Sequence, residues 1–224
     1  MTMGPLALAT LGLLLGMRHA TDADHVVAVT TIACRERTTR GALLIGALWG
    51  LGHSVTLLLV GGAIVLFGAV IPPRLGLWLE MAVALMLVVL GLLNLTRGFR
   101  AGSRGPHSHR PGGLDRRARP LAIGVVHGLA GSAAIALLVL ASIHDRVRAL
   151  LYLALFGAGT VLGMMALTVA MVVPVSVAAR RFQAVEGLIG RVTGMASLAF
   201  GLFLTYQLGF VDGLFTAAPH WTPR

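Results

Sequence analysis

Apolar runs long enough to cross a lipid bilayer recur along the whole chain. Six can be drawn, each about 20 residues or longer, which is the length a helix needs to cross a hydrocarbon core of about 30 Å. They cover residues 5–33, 41–68, 75–96, 121–142, 148–174 and 187–210. Charged residues make up only 12% of the 224 residues, too few to cover the surface of a soluble domain. The sequence therefore predicts an all-α integral membrane protein with six transmembrane helices.

The net charge of +10 comes from arginine, because all eighteen basic residues are Arg. In a soluble protein this excess would suggest nucleic-acid binding, but here nearly all the arginines lie at or between the ends of the apolar runs, where they indicate topology. Thirteen lie in or beside the segments after the first, third and fifth runs, four lie on the opposite side, and Arg18 lies inside the first run. Cytoplasmic segments are enriched in basic residues, so we predict that both termini lie outside and that no nucleic acid is bound.

The two halves of the chain resemble each other at an offset of 107 to 110 residues. Residues 16–19 align with 124–127, residues 49–53 align with 156–160, and 91–93 align more weakly with 201–203. Three spans is an odd number, so the second copy enters the membrane from the opposite side. We predict two inverted three-helix repeats at 1–96 and 121–212, a cytoplasmic linker rich in Arg, Gly and Pro at 97–120, and a tail at 213–224.

The first apolar run carries five ionisable side chains within the eight residues Arg18-His19-Ala20-Thr21-Asp22-Ala23-Asp24-His25. A charge near the bilayer centre costs about 3 kcal/mol or more, so such a cluster persists only where its members are paired or functional. Imidazole with carboxylate suits nickel, cobalt and zinc better than calcium or magnesium, and the lack of Cys and Met in the cluster argues against copper(I). The cluster therefore predicts a site for a divalent metal ion.

The orientation of Asp24 decides which residues take part in this site. At roughly 100° per residue, His19, Asp22 and His25 fall within about 120° of one helix face, whereas Asp24 points elsewhere. Two arrangements stay open at this point. Either the helix is broken here and gathers all four groups, or Asp24 supports a ligand or Arg18 from behind.

Later runs supply further candidates. His53 lies in the second run at a depth comparable with that of the cluster. It is the next candidate metal ligand, or else it hydrogen-bonds an acid of the cluster. Gly50 and Gly52 beside it allow another helix to approach closely. His127 and Ser132 occupy the pseudo-symmetric position in the fourth run. They form the other wall of a pathway, or they belong to a glycine-rich helix that is simply tightly packed.

At this point the residues resemble a known family. Residues 18–25 contain the His-x-x-x-x-Asp-His pattern of the signature helix of the nickel/cobalt transporter family, and residues 51–55 are similar to the motif in that family's following helix. The resemblance implies a secondary permease for Ni²⁺ or Co²⁺, in which His19, Asp24 and His25 recognise the substrate. Residues 127–133 resemble a shorter six-span branch associated with urease and hydrogenase maturation, whereas the typical member has eight spans.

The residues and the resemblance together predict a multi-pass inner-membrane transporter that takes up Ni²⁺ or Co²⁺ and has no resident cofactor. An integral-membrane metalloenzyme would need more ligands in later spans, where only His127 is available. An exporter of metal, or of another small solute, is the other alternative. His107 and His109 in the linker are candidates for receiving or sensing metal, and a cytoplasmic metal acceptor is then a candidate partner besides the lipid bilayer.

Overall fold

The computed structural model describes residues 4–33, 36–69, 71–101, 113–129, 140, 142–143, 145–181 and 183–221. All regular elements in these ranges are helices. Three residues singled out from the sequence, His107, His109 and Ser132, lie outside the described residues.

Seven α-helices are described. In chain order they are α1 Pro5–His19, α2 Ala23–Ala33, α3 Thr39–Phe67, α4 Pro73–Ala101, α5 Gly113–Leu129, α6 Arg146–Arg181 and α7 Gln183–Tyr206. A π-helical turn, Gln207–Val211, follows α7. Gly213, with a φ of 78°, then turns the chain in a backbone region that favours glycine. The tail folds back onto α4, where the Trp221 indole donates a 2.8 Å hydrogen bond to Glu80.

Four of the described helices are long and apolar enough to cross a membrane. These segments are Thr39–Phe67, Pro73–Thr96, Arg146–Ala178 and Leu188–Val211. They coincide with the second, third, fifth and sixth apolar runs of the sequence. The chain is therefore an all-α protein with several membrane-spanning helices, as the sequence predicts.

The first apolar run is not one continuous helix. α1 ends at His19 and α2 begins at Ala23, so the run 5–33 is divided into helices of 15 and 11 residues. At 1.5 Å per residue these helices are roughly 22 and 16 Å long, and each alone is shorter than a hydrocarbon core. Of the two arrangements left open by the sequence, the structure has the broken helix.

Polar side chains at the break explain why the helix stops. Thr and Asp side chains compete with the helix for backbone hydrogen bonds. The Thr21 hydroxyl donates to the Arg18 carbonyl at 2.6 Å, and the Thr21 amide donates to the same oxygen at 2.9 Å. The helical pattern resumes where the Val26 amide donates to the Asp22 carbonyl at 3.0 Å. The carbonyl end of α1 and the amide end of α2 therefore meet at residues 20–22.

α3 lies at the centre of the packing, against α5 on one side and α6 on the other. α1 packs against α6, α4 packs against α7, and α2 touches α7, α6 and α4. Glycines permit the closest approaches. A Cβ atom on Gly50 would lie 2.8 Å from the Val161 Cα, so α3 and α6 are in backbone contact there. This packing fixes the break between α1 and α2 beside α3 and α5.

The far end of α2 is anchored by Asn94 of α4. Its buried side-chain amide donates a 2.9 Å hydrogen bond to the Thr31 carbonyl, one of the last carbonyls of α2. Replacing Asn94 with leucine leaves that carbonyl without this donor, so we expect a loss of about 1–3 kcal/mol in the free energy of unfolding. Thermal unfolding in detergent measures the loss. The control is Thr96→Val, at an exposed residue of the same helix, and an equal shift in both variants contradicts the anchoring role.

Candidate metal site

The helix break brings the charged cluster of the first run to one place. His19 is the last residue of α1, and Asp24 and His25 lie in the first turn of α2. The partial negative charge of the α1 carbonyl end falls beside a histidine, and the partial positive charge of the α2 amide end falls beside an aspartate. Both helix ends are therefore matched to the side chains they carry.

Three buried histidines meet at the break. The His19 Nε2 and His53 Nε2 atoms are 3.1 Å apart, and the His25 ring centroid lies 4.7 Å from that of His19 and 5.2 Å from that of His53. One nitrogen of each ring lies within 4.8 Å of the others. Two nitrogens that bind one ion at about 2.1 Å are separated by roughly 3 Å, so the His19–His53 spacing fits a shared ion.

Asp22 lies behind His19 rather than among the three rings. Its carboxylate accepts a 2.8 Å hydrogen bond from His19 Nδ1, and 43% of its side chain is exposed. A carboxylate bound to one imidazole nitrogen fixes the tautomer and leaves the other nitrogen free to bind a metal ion. The sequence predicts Asp22 as a metal ligand, and in the structure its carboxylate is hydrogen-bonded to His19 Nδ1.

Asp24 contacts histidines from two different helices. Its carboxylate lies 3.1 Å from His127 Nε2 of α5, and its other oxygen lies 3.1 Å from His25 Nδ1. The same oxygen accepts the His25 backbone amide at 2.9 Å. One nitrogen of His25 and one of His127 fall within 4.8 Å of each other and of an Asp24 oxygen. His127 is therefore at the site, and α5, which carries it, forms one side of that site.

Several buried nitrogens of the site have no hydrogen-bond partner among the described residues. They are both ring nitrogens of His25, the Nδ1 atoms of His53 and His127, and the Trp49 indole nitrogen. The contact between the His25 ring nitrogen Nδ1 and the Asp24 carboxylate lacks hydrogen-bond geometry. A buried polar atom left without a partner costs about 1–3 kcal/mol, so native proteins rarely keep several together without a ligand or water. This cluster of imidazoles and one carboxylate has the donor chemistry for a borderline divalent metal ion.

Two aromatic rings that the sequence did not mark as part of the site line it. The Trp49 ring lies 5.8 Å from that of His25 and 5.6 Å from that of His127, and the Phe156 ring lies 5.4 Å from that of His19. Trp49 and Phe156 are aligned with each other in the internal repeat that the sequence predicts. Their shared place in the repeat was the available signal that both face the centre.

The structure thus brings together His19, Asp22, Asp24, His25, His53 and His127. Ser132 lies outside the described residues.

Comparison with known proteins agrees with this chemistry. Residues 5–103 match the model of a family described as high-affinity nickel-transport protein. The chain is also 37% identical, over 218 residues, to a urease accessory protein, UreH, of Bacillus sp. (strain TB-90), and the match covers 94% of this chain and 95% of that protein. No solved structure matches the chain significantly. The identity over almost the full length of both chains shows that this protein belongs to the nickel/cobalt transporter family.

Proposed function

We propose that this chain is a secondary transporter that moves Ni²⁺, and Co²⁺ as an alternative substrate, inward across the inner membrane. The protein is a transporter and not an enzyme, as its family membership indicates. The observation that carries the choice of substrate is the buried cluster at the helix break, where imidazole and carboxylate groups converge with unpartnered nitrogens. The metal ion is cargo here, so no resident cofactor is involved.

The ligands divide into direct and supporting groups. His19, His25, His53 and His127 offer ring nitrogens to the ion, and Asp24 offers a negatively charged oxygen. Together they replace part of the hydration shell that the ion loses in the membrane. Asp22 holds the His19 ring through Nδ1 and does not bind the ion itself.

Alternating access requires a site between two bodies that move relative to each other, and an inverted repeat supplies such bodies. We propose that α1, α3 and α4 correspond to α5, α6 and α7. Ring contacts support this, because the His19–Phe156 pair at 5.4 Å has its counterpart in the His127–Trp49 pair at 5.6 Å. His19 aligns with His127, and Phe156 aligns with Trp49. The histidine therefore comes from the first half of the chain in one pair and from the second half in the other.

The closest contacts between helices also occur in pairs in which the two halves of the chain swap roles. Six glycines whose Cβ atoms would collide with a neighbouring helix fall into three exchanged pairs of contacts. They are Gly16 on Phe156 with Gly124 on Trp49, Gly52 on Leu121 with Gly159 on Leu13, and Gly91 on Leu198 with Gly201 on Val88. Within each pair the residues are related by the offset of 107 to 110 seen in the sequence. These contacts support the proposed repeats at 1–96 and 121–212. We also propose that the arginine-rich linker lies in the cytoplasm and both termini lie outside, as the distribution of arginines favours.

Uptake is the direction favoured by the membrane potential. Moving one positive charge inward gains about 2.3 kcal/mol per 100 mV, and a divalent ion gains twice that. A transporter that couples to nothing else would therefore concentrate the ion inside.

Flux of radioactive nickel into proteoliposomes containing the full chain tests the proposed function. We expect uptake that saturates with nickel, is inhibited by excess cobalt and rises when the interior is made negative. Protein-free liposomes are the control. If nickel and cobalt enter no faster than in that control, the proposal fails, and net efflux under an inside-negative potential would instead favour an exporter.

The two aspartates are expected to differ when each is replaced by the isosteric asparagine. Asp22→Asn should slow nickel uptake by about 10–100-fold, as loss of a carboxylate behind a metal-bound histidine does elsewhere. Asp24→Asn removes a ligand oxygen and its charge, so its effect on uptake should be larger. Uptake of radioactive nickel into proteoliposomes containing each purified variant measures both effects. The reverse order of effects contradicts the roles assigned here to Asp22 and Asp24.

A further inference from the structure

The ligands form two groups rather than a single ring. His19, His25 and His53 make up a three-histidine group, and Asp24, His25 and His127 make up an aspartate group. In each group the three ligand atoms lie within 4.8 Å of one another. His25 is the only residue common to both groups, so it stands between two places where an ion would find three ligands.

The two ring nitrogens of His25 can serve the two groups separately. Its Nδ1 atom lies 3.1 Å from an Asp24 oxygen, on the side of the aspartate group. The opposite nitrogen, Nε2, is buried and has no hydrogen-bond partner among the described residues. Since the two nitrogens of an imidazole point in different directions, Nε2 is the atom available to the three-histidine group.

We propose that the site contains two adjoining metal positions that share His25, and that a nickel ion passes from one to the other during transport. This rests on the proposed function. One position consists of His19, His53 and His25 Nε2, and the other of Asp24, His127 and His25 Nδ1. Two divalent ions this close repel each other strongly in a low-dielectric interior, so the positions are occupied one at a time.

The exposed fractions of the Asp22 and Asp24 side chains indicate which of the two metal positions an ion reaches first. Asp22, next to the three-histidine group, has 43% of its side chain exposed, whereas Asp24 has 17%. A carboxylate in a membrane-spanning segment is exposed to water rather than to lipid. The three-histidine position is therefore the one that an ion reaches first from the side on which Asp22 meets water.

Nickel binding to purified variants of the full chain tests the two positions. Deleting His53 damages only the three-histidine position, and deleting His127 damages only the aspartate position. The total binding constant is the sum of two, so at least one of His53→Ala and His127→Ala should retain wild-type affinity within about twofold. Where the two positions bind nickel with comparable affinity, the double variant should lose far more than the product of the single losses. Two large single losses that simply multiply in the double variant overturn the proposal.

X-ray absorption spectroscopy of nickel-loaded single variants distinguishes two metal positions from one without the double variant. We expect three imidazoles on nickel in His127→Ala, and two imidazoles with a carboxylate in His53→Ala. If both variants show the same ligand set, reduced by one imidazole, there is one position and the proposal is overturned.

Uptake into proteoliposomes tests the passage between positions. Each single variant should transport at least about tenfold more slowly than the wild type, although one of them binds nickel almost normally. The matched control is His220→Ala, which removes an exposed histidine of the tail and should leave both binding and uptake unchanged. A single variant that binds and transports like the wild type overturns the relay. Wild-type protein that fails to transport nickel at all contradicts the proposed function instead.

Discussion

Replacing His25 with alanine is expected to abolish nickel uptake and to weaken nickel binding by more than about 100-fold, or roughly 3 kcal/mol. His25 is fully buried, and both of its ring nitrogens lack hydrogen-bond partners among the described residues. It is also the residue that takes part in both ligand groups. No other single substitution at the site removes a ligand from each group, so this one should have the largest effect on function.

Cellular nickel accumulation and equilibrium dialysis of the purified protein measure the two effects of His25→Ala. His220→Ala is the matched control, because it deletes the same side chain at an exposed residue of the tail. Size-exclusion profiles in detergent establish that both variants are folded. Wild-type accumulation by a folded His25→Ala protein contradicts the site assignment.

A large loss of stability is expected from Gly16→Ala. The new Cβ atom would collide with the Phe156 carbonyl and lie 2.8 Å from the Thr160 amide nitrogen, so α1 must move away from α6. Overpacking of this kind costs about 1–3 kcal/mol in the free energy of unfolding. Because His19 is three residues further along α1, nickel binding should weaken as well.

Gly62→Ala is the control for this substitution, since Gly62 is also buried and its Cβ atom would meet only Leu150 Cδ2, at 3.9 Å. Alanine is the better helix former by about 1 kcal/mol, so this variant should be as stable as the wild type or more so. Thermal unfolding in detergent compares the two. Equal stability of Gly16→Ala and Gly62→Ala would show that α1 and α6 do not pack as described.

Much of the site was predictable because charged residues are conspicuous in an apolar helix. His19, Asp24 and His25 stand out in the first run, and His53 stands out in the second. Their cost in a membrane made a shared role the simplest explanation. The membrane-spanning segments at the second, third, fifth and sixth runs were also predictable, because length and hydropathy alone decide them.

The sequence alone could not decide between a break after α1 and a continuous first helix. The residues on either side are apolar over their whole length, so hydropathy reads 5–33 as one span. The break depends on local hydrogen bonds, such as that from the Thr21 hydroxyl to the Arg18 carbonyl, which compete closely with a continuous helix. With the helix broken there, the Asp24 carboxylate lies in contact with His127 of α5.

The role of His127 depended on packing that a single sequence does not reveal. A lone histidine in a glycine-rich helix fits a binding site and a tightly packed helix equally well. Gly124 allows α5 to approach Trp49 of α3 so closely that a Cβ atom would collide with the Trp49 carbonyl. That approach brings His127, one helical turn along, to the Asp24 carboxylate.

A crystal structure of the full chain with bound nickel, measured at the nickel absorption edge, tests the central claim most directly. We predict an anomalous peak at the break between α1 and α2, within bonding distance of His25 and of either the His19–His53 pair or the Asp24–His127 pair. A peak away from these residues, for example at His107 and His109 of the linker, with none at the break, would contradict the account.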